Sequence, residues 1–110
     1  MERWQEEIRK QYGYKISNSL IRSKARTRSL IYIVVHPDKT ILEISSGIRV
    51  TYTNTHGAII GDGKKYSTKL SLTGLNLVLY EKNDGRGGIC KPTDKGKEIF
   101  DILNGRIDQF

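Results

Sequence analysis

Residues 40–61, TILEISSGIRVTYTNTHGAIIG, constrain this chain more than any other stretch, because they encode two short helices joined by a sharp turn. Thr40 and Glu43 have the spacing of a capping box: the Thr hydroxyl accepts from the N–H three residues on, and the Glu carboxylate reaches back to the cap's own N–H. Ile41, Leu42, Ile44 and Ile48 supply the buried side of the first helix, and Gly47 is expected to end it in the left-handed conformation. Thr51 caps the second helix, residues 51–60, with Thr55, Ala58 and Ile59 turned inward at helical spacing. Tyr52, Thr53, Asn54 and His56 are left outside, where a purely structural helix more often carries Lys and Glu. Gly57 is small enough for close backbone approach, although it lowers helix propensity by about 1 kcal/mol relative to Ala.

The charge distribution says what such a face would meet. The formal net charge is +7, and residues 15–69 hold ten bases against three acids, while residues 1–14 hold three of each. A basic centre between balanced ends is the footprint of a polyanion-binding surface; a solvated basic face is the plainer alternative. The reading to test is therefore a helix-turn-helix whose second helix reads nucleic acid. At 110 residues the chain is expected to form one domain. No run approaches the roughly 18 apolar residues of a membrane span, and residues 1–10 lack the apolar segment of a signal peptide. The single cysteine, Cys90, has no partner for a disulfide or a thiolate metal site, which fits a reducing, cytoplasmic setting.

Along the rest of the chain, residues 2–12 predict a helix with Trp4, Ile8 and Tyr12 on one face, a packing or dimer element that Gly13 ends. Arg22, Lys24, Arg26 and Arg28 follow without a compensating acid. The apolar run 30–35 could be a buried strand, but a helix over residues 23–35 is favoured, with Leu30, Ile31, Val34 and Val35 on one face and His36-Pro37 as its stop. Residues 61–69, GDGKKYSTK, predict a loop or a loosened helix end. A phosphate-loop reading fails on spacing, since five residues separate Gly57 from Gly63 and Lys64 is followed by another Lys. Lys64 and Lys65 suit phosphate contacts instead. A strand over 77–82, a turn at 83–88 and a return strand over 89–92 make a hairpin with Arg86 at its tip. Thr93 then caps a last helix with Ile99, Ile102 and Leu103 on one face beside Phe100, and Gly105 ends it.

In this order the elements resemble the winged-helix family, in particular small single-domain regulators of the archaeal and phage or plasmid type. The stretches that carry the resemblance are IRSKARTRSLIYIVVHPDK, TILEISSGIRVTYTNTHGAI, GLNLVLYEKNDGRGGICKP and PTDKGKEIFDIL. It implies a mainly helical α+β fold: a winged helix-turn-helix with a two- to three-stranded wing and an extra N-terminal helix. Residues 1–14 would form that helix, 20–92 the helix-turn-helix and wing, and 93–104 the closing helix. It further implies double-stranded DNA as partner, bound by a homodimer. The helix 51–60 would lie in the major groove and the wing 83–88 on the adjacent backbone or minor groove. By position, Tyr52, Thr53, Asn54 and His56 would face base edges, and Asn pairs with adenine in a bidentate way. Lys64, Lys65, Arg49, Arg26, Arg28, Lys82, Arg86 and Lys91 would hold phosphates, with help from Arg22 and Lys24. The chain departs from the family pattern at residues 61–74, a polar insertion before the wing.

Other function classes remain open at this point. An architectural or plasmid-maintenance protein would use the same charge without reading sequence. A protein-docking module would use Trp4, Ile8 and Tyr12 as anchor and the basic centre against an acidic partner. An enzyme fits least. Cys90 has no identifiable base, His36 and His56 lack the spacing of a helical metal site, and no carboxylate pair stands out. No catalytic residue, cofactor or metal ligand is therefore expected, and no membrane partner.

Overall fold

Gly13 and Ser23 divide the first third of the chain into three helices, where two were expected. The computed structural model describes residues 3–83 and 87–105. Its elements are α1 (Arg3–Tyr12), α2 (Tyr14–Arg22), α3 (Lys24–Val35), β1 (Lys39–Thr40), α4 (Ile41–Ile48), α5 (Tyr52–Ile59), β2 (Val78–Asn83), β3 (Gly87–Pro92) and α6 (Asp94–Leu103). The helix missed from sequence is α2. Gly13, at φ +93°, turns the chain after α1 and lets a new helix begin at once, in which Ile16 and Leu20 are buried one turn apart. Ser23 separates α2 from α3: its N–H closes on the Leu20 carbonyl, and its Oγ accepts the Arg26 N–H at 3.1 Å.

The remaining elements pack around α3, which touches α2, α4, α5, α6 and β3. Its inward side is Arg26, Ser29, Leu30 and Ile33, and so differs from the expected stripe of Leu30, Ile31, Val34 and Val35. Ile31 and Val35 are 37% and 54% exposed. Six consecutive apolar residues wrap the whole circumference of a helix, so they carry no direction of their own. The core gathers Leu30 and Ile33 with Ile44 of α4, Ile59 of α5, Leu77 and Ile99 of α6, all fully buried. Each such side chain contributes about 1.5–3 kcal/mol through its removal from water.

Both bonds of the capping box at α4 are present, Glu43 N–H to Thr40 Oγ1 at 3.2 Å and Thr40 N–H to Glu43 Oε1 at 3.0 Å. The far end differs from expectation. The helix runs through Gly47 to Ile48, and the left-handed residue is Arg49, at φ 58°. A non-glycine residue costs about 1–2 kcal/mol there. Gly47 is needed for a different reason: the Tyr32 ring of α3 lies where a Cβ would go.

The sheet has the order β1-β3-β2 and is antiparallel throughout. In the hairpin Val78 stands opposite Pro92 and Tyr80 opposite Cys90, and β1 adds Thr40 opposite Ile89. The wing therefore has three strands. The turn tip, Asp84, Gly85 and Arg86, lies outside the described residues, and with it the expectation placed on Arg86. α1 packs on α6, with Ile8 fully buried and the Tyr12 hydroxyl donating to Glu98 Oε1 at 2.6 Å. Burial, and then the Glu98 carboxylate, push that phenol's pKa up to about 12. The stripe of Trp4, Ile8 and Tyr12 is thus turned onto the chain's own core. This leaves neither the docking anchor nor the terminal dimer stripe on the surface as a whole.

Candidate nucleic-acid interface

By composition α5 is a weak helix, with two Thr, one Asn and one Gly in eight residues. Thr51 Oγ1 accepts the Asn54 N–H at 3.2 Å, which satisfies one of the free donors at its start. Thr55, Ala58 and Ile59 are buried as expected, and Tyr52, Thr53 and Asn54 are exposed. His56 is half-buried, its ring centroid 5.9 Å from that of Tyr52. At the other end the Leu72 N–H donates to the Ala58 carbonyl at 3.0 Å and the Thr73 N–H to the Ile59 carbonyl at 2.9 Å. Two carbonyls that a helix end leaves without partners are thereby satisfied from outside the helix.

Those donors belong to the inserted segment, which holds no helix or strand, in keeping with the loop or loosened helix end expected over residues 61–69, and whose turns fold into a strap against α5. Asp62 Oδ1 accepts the N–H groups of Lys64 at 2.8 Å and Tyr66 at 2.9 Å. The Tyr66 N–H, and next the Lys64 N–H, hold the Asp62 carboxyl below the usual carboxylate range. Further on, Ser19 Oγ donates to the Leu70 carbonyl at 2.6 Å, and Leu72, Leu75 and Leu77 enter the core. Tyr66 is carried back onto α5. Its ring lies on Gly57, where a Cβ would collide with the ring carbons, and its hydroxyl donates to Asn54 Oδ1. The close approach expected at Gly57 is therefore made from inside the chain. Tyr52, Thr53, His56, Gly57, Asp62 and Tyr66 surround a recess of about 220 Å³.

The cations expected at phosphates are distributed unevenly. Lys64 and Lys65 are exposed on the strap beside α5, with Lys65 Nζ 5.4 Å from the Tyr66 ring centroid. Arg49 is exposed on the turn between α4 and α5. Arg28 lines a groove of about 500 Å³ with Arg49, Ile31 and Val35, and a second of about 820 Å³ with Lys24 and Ile21. Arg22 is exposed at the end of α2, and Lys82 on β2. Two residues depart from expectation. Arg26 is only 9% exposed, its Nη1 donates to the Ser19 carbonyl at 3.2 Å, and burial pushes its pKa down. It joins α3 to α2 and does not face a surface ligand. Lys91 Nζ lies between Asp38 Oδ1 at 3.8 Å and Glu81 Oε2 at 3.5 Å, so its charge is answered within the chain.

The structure thus brings Tyr52, Thr53, Asn54 and His56 together with Lys64 and Lys65, and leaves Arg26 and Lys91 out. Sequence reasoning missed Asp62 and Tyr66. The turn around Asp62 has a local signal in D-G-K-K-Y, since Asp bonds readily to N–H groups just beyond it. The seat of Tyr66 on Gly57 has none, being a contact between residues nine apart.

As for catalysis, Cys90 is fully buried, and burial pushes its thiol up to about 12. Among the described residues, no group of three or more His, Cys, Asp and Glu is placed to hold a metal ion. No helix among them is long and apolar enough to cross a membrane.

A family model described as EarA-like matches residues 16–103. Among solved structures, the chain is similar to a MarR protein from Peptoclostridium difficile, with a TM-score of 0.63 at 20% sequence identity. The match covers 84% of this chain and 55% of that one, so the chain spans about half the length of the protein it matches. No curated protein matches it. The three-stranded wing behind a helix-turn-helix and the structural match establish a winged-helix fold, mainly helical, with a small antiparallel sheet.

Proposed function

The chain belongs to the EarA-like family, and from that premise we propose that it is a double-stranded DNA-binding protein acting as a transcriptional regulator. In this reading α5 enters the major groove, and the wing rests on the neighbouring backbone or minor groove. The observation that carries it is the outer face of α5. Tyr52, Thr53 and Asn54 are exposed on barely more than one helical turn with half-buried His56 beside them, flanked by Lys64 and Lys65 on a strap bonded to the same helix. Side chains that donate and accept suit base edges, and ammonium groups beside them suit phosphates. Arg49, exposed on the turn before α5, and Lys82, exposed on β2 of the wing, would add further phosphate contacts. Homodimerisation and a cytoplasmic setting complete the reading, and a homodimer would read a palindromic site.

Titration of cognate and random duplexes tests it. Asn54→Ala is expected to weaken specific binding more than non-specific binding. Joint replacement of Lys64 and Lys65 by Ala should weaken both and reduce the salt slope by about 2. Equal losses on both duplexes for Asn54→Ala would remove base readout from α5.

One feature favours a second reading, an architectural protein with little sequence preference: Lys24 and Arg28 line a groove other than the α5 recess, so the basic charge covers more than one face. A specific regulator resists random competitor by roughly a thousandfold or more, and an architectural one does not.

A further inference from the structure

A DNA-reading α5 does not by itself call for a tyrosine at residue 66, yet several features of the chain combine to seat one there. Gly57 leaves room for the ring. Asp62 fixes the turn through the N–H groups of Lys64 and Tyr66. Gly61, at φ +81°, lies so close to the backbone of Ser67 and Thr68 that a Cβ would meet it at 2.6–2.8 Å. The product is a phenol hydroxyl that donates to Asn54 Oδ1 on the reading face.

That bond changes what Asn54 offers. A free asparagine pairs with adenine through both ends of its amide, Oδ1 accepting from N6–H and Nδ2 donating to N7. With one of the carbonyl's two lone pairs taken by the Tyr66 hydroxyl, the acceptor end of the amide is partly occupied and held in place, and the amino end, which only donates, keeps its full capacity. Guanine is its complement, since N7 and O6 stand side by side on the major-groove edge and both accept. Because Tyr66 already fixes the amide, little side-chain freedom is lost when a base arrives.

We propose that Tyr66 sets base specificity through Asn54, holding its carbonyl so that the pair read there is G·C, with guanine facing Asn54, in place of the A·T pair of a free asparagine. Tyr66 is a positioning residue in this scheme. The inference rests on the DNA-binding reading above.

Selection from a random duplex library with the parent chain, Asn54→Ala and Tyr66→Phe tests it, each protein first checked by thermal melting. Phe keeps the ring on Gly57 and removes only the hydroxyl. The expected parent motif has G·C at the position whose preference Asn54→Ala flattens. At that position alone, Tyr66→Phe should move the preference by about tenfold toward A·T. A·T at that position in the parent motif, a Tyr66→Phe motif identical to the parent's, or a loss spread evenly over every position overturns the proposal.

A second arm uses unaltered protein, so it does not depend on the variant folding. A duplex with 7-deazaguanine at that position lacks the N7 acceptor and should bind about tenfold more weakly; unchanged affinity overturns the proposal. Failure of the parent to enrich any sequence is a distinct result, which removes base readout as a whole and this assignment with it.

Discussion

α4 and α5 are both eight residues long and both capped by a threonine, yet different parts of the chain hold them in place. α4 closes its own start with a full capping box and buries Ile41, Ile44 and Ile48 beneath itself. α5 has a one-sided cap, few strong helix formers and an outer face of polar side chains. Its missing support comes from the strap, through the N–H groups of Leu72 and Thr73 on its last carbonyls and the Tyr66 ring against Gly57. A helix whose outer face is polar and little packed gains little stability from that face, so the stability of α5 is supplied from elsewhere.

Substitutions in the strap should therefore separate the two helices, and the largest effect is expected from Leu72→Ala. Leu72 is fully buried in the core and its N–H holds the Ala58 carbonyl of α5, and its truncation should cost about 2–5 kcal/mol by chemical denaturation. Native-state amide exchange refines this: α5 should lose more protection than α4. Equal loss in the two helices would break the contrast.

Gly57→Ala sets two effects of opposite sign against each other. Helix propensity alone favours Ala by about 1 kcal/mol, but the new methyl group meets the base of the Tyr66 ring, which has no free end to swing aside. A net destabilisation of about 1–3 kcal/mol in thermal unfolding is expected. A stabilised variant would mean that Tyr66 is not needed where it sits.

The smallest effect is expected from acid. Asp62 has its pKa lowered in the folded chain, so its contribution is fully present above the ordinary aspartate value of about 4 and is lost as pH falls through the depressed folded value. Exchange of the Lys64 and Tyr66 amides should accelerate over that window while the amides of α3 stay protected. Loss of protection at both places together would show that the strap does not open on its own.

Much of this architecture is legible in the sequence where the signal is local. Thr40 and Glu43 announce α4, Thr93 announces α6, and the sequence N-D-G-R-G-G between two strand patterns announces the hairpin, because each signal lies within a few residues. α2 escapes because Gly13 reads as a stop, while Ser and Asn between Ile16 and Leu20 weaken the helical pattern. The buried side of α3 escapes because a continuous apolar run is silent about direction, and Arg26 passes as a surface base when its environment is unseen. The polar face of α5 is visible in TYTNTH. The partner of Asn54 is not, since Tyr66 reaches it only after a turn of the chain that Asp62 and two glycines create.

Thr40 is both the end of β1, opposite Ile89, and the N-cap of α4. With no residue between strand and helix there is no slack to absorb displacement, so the wing acts as a lever whose short arm is the first turn of α4. A sideways push on the hairpin must tilt α4 or strip its cap. Motion imposed on the wing would reach the two-helix unit through α4 and, because Ile41, Ile44 and Ile48 are buried, would be felt in the core beneath it.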